Sequence, residues 1–198
     1  NDELLDYFKI DSKFIKSKEG ISVLSGNKIV RGSKPIAMAY AGHQFGNFVH
    51  QLGDGRAVLL GEMISKDGLR FDLQLKGSGK TLFSRSGDGR APLAPVIREY
   101  IVSEAMHHLG VPTSRSLAII SSGEFVQRET LEPGGILARV SSSHIRIGTF
   151  EFFQAKKDIK SLKILADYTI KRHYPEILST NNIYNSLLKE VIKAQAKL

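Results

Sequence analysis

The feature that most constrains the fold is an alternating stretch that ends in a lysine and leads through a glycine-rich loop into a helix. Over residues 71–76, Phe, Leu and Leu alternate with Asp, Gln and Lys. This period of two predicts a half-buried strand with Lys76 on its polar face, at the strand's end. A loop rich in Gly and Ser follows over residues 77–89. Apolar residues then recur at helical spacing over residues 92–109, and Gly110 predicts the end of a helix.

The remaining segments predict further strands around this helix and two helices at the end of the chain. The predicted elements are a hairpin of residues 48–52 and 57–62 joined across Gly53-Asp54-Gly55, a hairpin of residues 117–120 and 125–128 joined by Ser121-Ser122-Gly123, a strand over residues 136–140, and amphipathic helices over residues 158–173 and 182–197. This order is that of a protein kinase small lobe running into its large lobe. The predicted fold class is therefore α+β, with an antiparallel small-lobe sheet and one helix. Residues 1–150 are predicted to form a nucleotide-binding small lobe with an N-terminal extension, and residues 151–198 the incomplete start of a helical large lobe.

Composition limits the partners that the chain can use. Lys and Arg total 28 against 20 Asp and Glu, so the formal charge is +8 and an anionic partner, nucleotide or nucleic acid, is expected. The absence of Cys excludes disulfides and thiolate metal sites, and the scattered histidines do not predict a metal site. No apolar run approaches about 18 residues, so no membrane span is predicted. Because the chain begins with Asn and ends within an apparent helix, we expect a piece of a longer protein.

The first candidate for phosphate binding is Gly53-Asp54-Gly55-Arg56. Glycines in such a turn let backbone N–H groups approach phosphate oxygens, because no Cβ stands in the way. Arg56 can place a guanidinium beside the same oxygens. Val58 stands where the third glycine of a G-x-G-x-x-G loop belongs, so a plain hairpin turn is the alternative.

Lys76 is the candidate for a kinase-type lysine, which neutralises nucleotide phosphate and is held by a glutamate of the next helix. Glu99 lies on that helix between the apolar residues Ile97 and Tyr100, and therefore near its packed face. Glu104 is a competing partner farther along the helix. The alternative is a lysine that only extends from a strand end into solvent.

Two further pairs of residues suit nucleotide binding. Asp88 and Gly89, in a second Gly-Asp-Gly-Arg sequence, either cap the helix or face the nucleotide. Arg139 and Arg146 stand among small polar residues, an arrangement that suits an anion clamp or, alternatively, surface ion pairs. Residues 77–81 imitate the end of a Walker A loop, but the first glycine of that motif is absent, so we reject it.

Taken in order, these motifs resemble the selenoprotein O family, also called YdiU. The resemblance covers about residues 30–175. It is carried by the segments Tyr40-Ala-Gly-His-Gln-Phe-Gly46, Gln51-Leu-Gly-Asp-Gly-Arg-Ala57, Leu75-Lys-Gly-Ser-Gly79, Ser84-Arg85, Gly87-Asp-Gly-Arg-Ala91, Ile97-Arg-Glu99, Ser103-Glu-Ala105, Leu109-Gly-Val-Pro-Thr113 and Ala138-Arg-Val140.

The resemblance implies a kinase-like protein adenylyltransferase that binds ATP in a flipped orientation and transfers AMP to Ser, Thr or Tyr hydroxyls of proteins. The nucleotide contacts that it implies are Gly53, Gly55, Arg56, Lys76, Asp88, Gly89, Arg139 and Arg146, with Lys76 held by Glu99. Since pyrophosphate leaves, positive charge is needed over the β and γ phosphates. The resemblance also implies Mg²⁺ or Mn²⁺, and a location in the bacterial cytoplasm or in the mitochondrion of a eukaryote.

The sequence departs from the family in two ways. Lys80 stands where the family often has a small or apolar residue. The catalytic aspartate, the metal-binding asparagine and a second metal-binding aspartate are expected after the helix of residues 182–197, and so beyond Leu198, as is the C-terminal redox residue of some members. The chain by itself is therefore expected to bind nucleotide weakly at most and to transfer no AMP.

Two other functions stay open from the sequence. One is an ordinary kinase-fold phosphotransferase that moves the γ-phosphate, which the product's added mass would reveal. The other is a nucleic-acid-binding module, suggested by the charge of +8. Against it stand an aromatic content of only 8% and the absence of an RRM, KH or zinc pattern.

The kinase interpretation makes two predictions about packing. Lys76 and Glu99 should lie within salt-bridge reach, roughly 4 Å, with Arg56 bordering the same cleft and Arg139 and Arg146 approaching it from the far side. The apolar faces of the last two helices should be poorly covered. The residues named for that second prediction are Leu162, Leu165, Ile183, Leu187 and Val191.

Overall fold

The computed structural model describes all of residues 1–198. It is an α+β structure with antiparallel sheets and seven α-helices, which is compatible with a kinase-like fold. Its elements in chain order are α1 (Asp2–Tyr7), α2 (Ser12–Lys16), α3 (Lys18–Leu24), β1 (Gly42–Gln44), β2 (Asn47–Val49), β3 (Ala57–Ile64), β4 (Arg70–Lys76), β5 (Ala91–Pro92), α4 (Leu93–His108), β6 (Arg115–Gln127), β7 (Leu131–Ser141), α5 (Ile147–Ala155), α6 (Ile159–His173), a 3₁₀-helix (Pro175–Ser179) and α7 (Ile183–Gln195).

The chain divides into two compact units, at a different place from the predicted boundary after residue 150. The first unit comprises residues 1–39 and 53–144, and the second comprises residues 40–52 and 145–198. The backbone N–H of Ala41 donates to the carbonyl of Gly148 at 2.8 Å. This bond ties the segment of residues 40–52 to the start of α5, so the segment belongs with the helical unit.

A five-stranded antiparallel sheet forms the centre of the first unit. Strand β4 lies between β3 and β7, β6 pairs along the other edge of β7, and the short β5 pairs with Gly134 and Gly135. The predicted strand ending at Lys76 is confirmed. Its polar face is not solvated, however, because Asp72 and Gln74 are only 3% and 0% exposed. That face therefore holds a buried polar network.

Side chains that alternate along β7 enter two different cores. Ile136, Ala138 and Val140 pack with apolar residues of α1 and α3. Leu137 points the other way and packs with Val96 of α4. The N-terminal helices thus cover one face of the sheet, and α4 covers the face that carries Gln74 and Lys76, since Lys76 is paired with Leu137 in the sheet.

The predicted helix over residues 92–109 is confirmed as α4, and Gly110 follows it with φ of +79°. Its predicted apolar face is divided. Val96 is buried and Tyr100 packs beside it, whereas Ile97 and Ile101 are 40% and 60% exposed. Helices α1 to α3 were not predicted, because segments this short carry too few turns to show a helical period.

The predicted hairpin across Gly53-Asp54-Gly55 is wrong. Strand β3 pairs with β4, and the segment before the turn contributes to β2, which pairs with β1. The backbone N–H of Asp54 donates to the carbonyl of Met38 at 2.9 Å, and the N–H of Met38 donates to Asp54 Oδ2 at 3.2 Å. These two bonds hold the glycine turn against residue 38, so it does not close a hairpin.

The predicted hairpin around Ser121-Ser122-Gly123 is also wrong, because both of its arms belong to the single strand β6. The register against β7 shifts between Ser121 and Phe125, and Gly123 has φ of +72°. A bulge of this kind needs the left-handed backbone that glycine adopts readily. The chain reverses later, where the N–H of Arg128 donates to the carbonyl of Thr130. The predicted strand over residues 136–140 is confirmed within β7.

The second unit contains the β1–β2 hairpin and the helices α5 to α7. Both predicted terminal helices are confirmed, and Asp158 and Asn182 cap them by accepting hydrogen bonds from backbone N–H groups. Residues of α6, α7 and the 3₁₀-helix between them form a core. No helix of the chain is long and apolar enough to cross a membrane.

The prediction that the terminal helices are poorly covered is partly wrong. Leu187 is 8% exposed and packs in the core of the second unit together with Ile183 and Val191. Other apolar side chains of these helices stay exposed, among them Ile164 at 60% and Leu188 at 59%. The two helices therefore bury one face against each other and leave a second face open.

Candidate functional site

The carboxyl end of β4 places Lys76 against α4. Lys76 Nζ forms an ion pair with Glu99 Oε2, and both side chains are partly buried. The predicted salt bridge is therefore present. Tyr100 supports the position of Glu99 by packing on the sheet, while the other flanking residue, Ile97, faces solvent.

A second cation shares the Glu99 carboxylate. Arg139, on β7, donates from Nη1 to Glu99 Oε1 at 2.9 Å. The same guanidinium donates from Nε at 2.8 Å and from Nη2 at 2.6 Å to Gln74 Oε1. Gln74 and Arg139 are directly paired in the sheet, so the register of β4 against β7 builds this contact. Arg139 is thus a member of an ion-pair network and not an isolated surface arginine.

The network continues to the glycine turn through two residues that sequence reasoning missed. Gln74 Nε2 donates to Asp54 Oδ2 at 3.3 Å, and Asp54 is 5% exposed. A continuous chain of contacts therefore runs from Asp54 through Gln74, Arg139 and Glu99 to Lys76. The signal that could have revealed Gln74 is its position in β4, two residues before Lys76 on the same face of an alternating strand.

Two cations of this network, Lys76 and Arg139, share the Glu99 carboxylate. Burial raises the pKa of Glu99, but the hydrogen bond and charge of Lys76, and then those of Arg139, outweigh it and hold that pKa below its usual 4.5. Glu99 is therefore ionised at neutral pH. A bound phosphate has to compete with Glu99 for these cations or add to their contacts.

Glu104, the alternative partner of Lys76, is engaged elsewhere. Its carboxylate accepts from Arg115 Nε at 3.0 Å and from Nη2 at 2.7 Å. It also accepts from the backbone N–H of Ser116 at 2.9 Å and from Asn1 Nδ2 at 2.6 Å. Burial raises the pKa of Glu104, but these hydrogen bonds, Arg115 first, bring it below 4.5.

The glycine turn is packed against the chain's own loop. A Cβ on Gly53 would lie 2.1 Å from Phe83 Cγ, and one on Gly55 would lie 2.8 Å from the carbonyl oxygen of Phe83. Thr81 Oγ1 donates to the carbonyl of Asp54 at 2.6 Å. The N–H of Gly55 donates to the carbonyl of Gly53 at 3.0 Å. Glycine is therefore required here by packing, and the Gly55 amide is already used within the turn.

Arg56 follows this turn at the edge of the network. Its carbonyl accepts from the N–H of Gly77 at 2.7 Å, which fixes its backbone beside the residue that follows Lys76. The side chain of Arg56 is exposed. That the Arg56 side chain borders the Lys76 site stays a prediction.

Asp88 does not cap α4, so that interpretation is wrong. The helix begins at Leu93, and its N-cap residue is Pro92. Asp88 instead accepts from Arg128 Nη1 at 2.8 Å and Nη2 at 3.1 Å. The Arg128 hydrogen bond lowers the pKa of Asp88 to about 2.

The loop that carries Asp88 and Gly89 returns to the end of β4. Ser78 and Arg90 form a β-bridge, and the N–H of Gly79 donates to the carbonyl of Gly89 at 3.2 Å. The loop that follows Lys76 forms no helix, which agrees with the rejection of a Walker A motif. The first unit thus collects Arg56, Lys76, Asp88 with Gly89, and Arg139 around one strand end.

Arg146 lies in the second unit, as the residue before α5. Its guanidinium carbon lies 4.2 Å from the ring centroid of Tyr40, and its backbone N–H donates to Thr149 Oγ1 at 3.3 Å. That Arg146 approaches the Lys76 site stays a prediction. No group of three or more His, Asp or Glu side chains is placed to hold a metal ion.

These observations define an α+β protein whose sheet, helix and glycine-rich loops build a charged site at a strand end. The whole chain, residues 1–198, matches the family described as protein adenylyltransferase SelO. It is 61% identical to the protein nucleotidyltransferase YdiU of Nitrobacter hamburgensis and 57% identical to that of Bacillus cytotoxicus, over all 198 residues in both cases. The chain belongs to the SelO family, which is also called YdiU.

The chain is shorter than these relatives. It covers 39% of the length of the Nitrobacter hamburgensis protein and 40% of the Bacillus cytotoxicus protein. A similar match, 59% identity over the whole chain and 39% of the relative, is found in Nitrobacter winogradskyi.

Proposed function

We propose that this chain is the ATP-binding, small-lobe part of a protein adenylyltransferase, followed by the first helices of its large lobe. The full-length protein transfers AMP from ATP to Ser, Thr or Tyr hydroxyls of other proteins. Support comes from membership of a family described as protein adenylyltransferase SelO and from relatives named protein nucleotidyltransferase.

The observation that carries the proposal is the ion pair of Lys76 and Glu99 at the strand end, with Arg139 on the same carboxylate. Glu99 holds both cations in place and leaves each of them partly exposed. A lysine held in this way is the group that kinase folds use on nucleotide phosphates. In this proposal Arg56, whose carbonyl accepts from the N–H of the residue after Lys76, adds a further positive charge for the nucleotide.

The reaction places a specific demand on these cations. The acceptor hydroxyl oxygen forms a bond to the α-phosphorus, and the bond from that phosphorus to the oxygen bridging the α and β phosphates breaks. Pyrophosphate leaves with the negative charge that develops on this oxygen. Lys76, Arg56, Arg139 and Arg146 stabilise that charge. The hydroxyl proton passes to a carboxylate that we place outside residues 1–198.

Asp88 and the glycines have a different role in this proposal. Because the pKa of Asp88 is about 2, its carboxylate is ionised and would repel a phosphate. It therefore accepts hydrogen bonds from hydroxyl or amino groups of the nucleotide. Gly53, Gly55 and Gly89 keep their loops closely packed beside the proposed nucleotide site, since a Cβ on Gly53 or Gly55 would meet Phe83 and one on Gly89 would meet the carbonyl of Gly79.

Residues 1–198 offer no cluster of ligands that fits a Mg²⁺ or Mn²⁺ ion. In this proposal the metal ligands, as the family resemblance implies, belong to a part of the longer protein that this chain does not include. No step of the reaction above is assigned to the metal.

The test is the identity of the group transferred by the full-length protein. Purified protein is incubated with ATP labelled at either the α or the γ phosphate and with a mixture of acceptor proteins, and modified peptides are identified by mass spectrometry. We expect the α label and the mass of AMP on Ser, Thr or Tyr, with the γ label released in pyrophosphate. Transfer of the γ label would instead establish an ordinary phosphotransferase. The 198-residue chain alone should transfer neither label.

A further inference from the structure

The segment Tyr40-Ala-Gly-His-Gln-Phe-Gly46 carries part of the family resemblance, and its residue Tyr40 contacts Arg146, one of the nucleotide contacts that the resemblance implies. In the second unit this segment leads into the β1–β2 hairpin. Its first residue, Tyr40, lies against Arg146, with 4.2 Å between the guanidinium carbon and the ring centroid. We infer that Tyr40 is a positioning residue that orients the Arg146 guanidinium for nucleotide phosphate. This inference rests on the proposed function.

The backbone on both sides of the Tyr40 ring is fixed. The carbonyl of Tyr40 accepts from the N–H of Leu52 at 2.8 Å, and the N–H of the next residue, Ala41, donates to the carbonyl of Gly148 at 2.8 Å. A Cβ on Gly148 would lie 2.2 Å from the Ala41 carbonyl oxygen, so glycine is required for this close approach. The ring is thereby held beside the first turn of α5.

The backbone of Arg146 is fixed from the other side. Its N–H donates to Thr149 Oγ1 at 3.3 Å, and its carbonyl accepts from the N–H of Thr149 at 2.9 Å. Thr149 is buried. The long side chain of Arg146 still has several rotatable bonds, so this anchoring of the backbone does not by itself orient the guanidinium. The Tyr40 ring, over which the guanidinium carbon lies, contributes to that orientation.

Stacking suits an arginine that binds phosphate. When a guanidinium stacks on an aromatic ring, the ring contacts its flat face, whereas the N–H donors lie in the guanidinium plane and point away from its edge. The same group can therefore stack on tyrosine and present a fork of donors to phosphate oxygens. Lysine, a compact point charge, cannot use both surfaces in this way.

The experiment uses the full-length protein and measures kcat and the KM for ATP in AMP transfer. Tyr40→Phe keeps the ring, so we expect kinetics within about twofold of the wild type. Tyr40→Leu removes the ring, and we expect the KM for ATP to rise about threefold to tenfold with little change in kcat, because the stack is worth roughly one kcal/mol at a partly exposed site. In an Arg146→Ala background, Tyr40→Leu should have no further effect.

A matched control comes from another arginine–tyrosine pair of the same unit. Arg172 lies over Tyr168 at 5.9 Å and donates to its hydroxyl at 2.8 Å. Tyr168→Leu removes a comparable pair from α6 and should leave the KM for ATP unchanged. The melting temperature of each variant shows whether a kinetic change follows from loss of folding.

Three outcomes would overturn the inference. If Tyr40→Leu raises the KM equally in the Arg146→Ala background, Tyr40 acts through the fold and not through Arg146. If Arg146→Ala leaves the KM unchanged in an active enzyme, Arg146 does not contact the nucleotide, and the inference fails while the proposed function stands. If the wild-type protein transfers no AMP under any condition, the proposed function fails and the inference fails with it.

Discussion

Helix α4 carries two glutamates whose carboxylates contact arginine, Glu99 and Glu104, but the two carboxylates have different surroundings. Glu104 accepts from the Arg115 guanidinium, a backbone N–H and an asparagine amide, and the side chains of Glu104 and Arg115 are only 13% and 12% exposed. Glu99 accepts from Lys76 and Arg139 and is 30% exposed. Glu104 and its arginine are enclosed, whereas Glu99 and Lys76 are each more than a quarter exposed and accessible to a ligand.

This difference separates stability from function on a single helix. A buried carboxylate whose donors belong to the fold contributes to the free energy of folding, and its loss leaves those donors unsatisfied. A carboxylate that holds two partly exposed cations contributes less to stability, because solvent screens the pair. Its main effect is to keep the cations in place for an anion.

The largest effect is expected at Lys76. In the full-length protein, Lys76→Ala should lower the rate of AMP transfer about 100- to 1,000-fold, the usual loss when one charge-stabilising donor is removed. The melting temperature should change little, because the ion pair is partly exposed. Lys66→Ala is the control, since Lys66 pairs with Asp6 at 3.3 Å on the surface. Transfer by Lys76→Ala at the wild-type rate would show that the strand end is not the phosphate site.

The next largest effect is expected at Glu104, the enclosed carboxylate of α4. Glu104→Ala should lower the free energy of unfolding by about 3 kcal/mol, because Arg115 loses its enclosed partner and keeps only the exposed Glu3 at 3.3 Å. Equilibrium denaturation in urea measures this change. The control is Glu124→Ala, which removes an exposed ion pair with Arg90 and should cost less than about 1 kcal/mol. Equal losses in the two variants would erase the distinction between the enclosed and the exposed carboxylate.

Glu99→Gln should have a smaller effect than Glu104→Ala on stability, and its main effect should be on AMP transfer. The amide keeps the size of the side chain but removes the charge that holds Lys76 and Arg139. We expect roughly a tenfold loss of AMP transfer and a loss of unfolding free energy below about 1 kcal/mol. Steady-state kinetics and urea denaturation on the same preparation check both. A loss of unfolding free energy as large as that of Glu104→Ala would show that Glu99 contributes to folding as the enclosed Glu104 does.

The smallest effect is expected in how the free energy of unfolding changes at acid pH. The pKa of each glutamate is lowered in the folded protein, so each contributes stability that is fully present above its usual pKa of 4.5 and is lost as the pH falls below it. Glu104→Gln should therefore flatten the decline in stability below about pH 4.5, and Glu99→Gln should flatten it less. Denaturation curves at a series of pH values test this order. A larger change for Glu99→Gln than for Glu104→Gln would show that solvent screening does not decide how much each glutamate contributes to stability.

Much of the first unit could be predicted because its signals are local. The alternation before Lys76 and the helical spacing after Pro92 depend only on neighbouring residues, and both elements are present with the expected ends. The ion pair of Lys76 and Glu99 follows from placing that strand beside that helix. The errors lie where pairing between distant strands decides the outcome. Residues 117–128 read as two strands and a turn, yet they form one bulged strand.

The sequence by itself determined the strand that ends at Lys76, the helix that follows it, the two terminal helices and the family, because periodicity and charged motifs are properties of short segments. Only the tertiary structure decided which glutamate pairs with Lys76, that Gln74 and Asp54 join the network, and that residues 40–52 belong with the helical unit. These facts depend on the register of β4 against β7 and on hydrogen bonds between residues far apart in the chain. Register is set by the packing of the whole sheet, and no single segment encodes it.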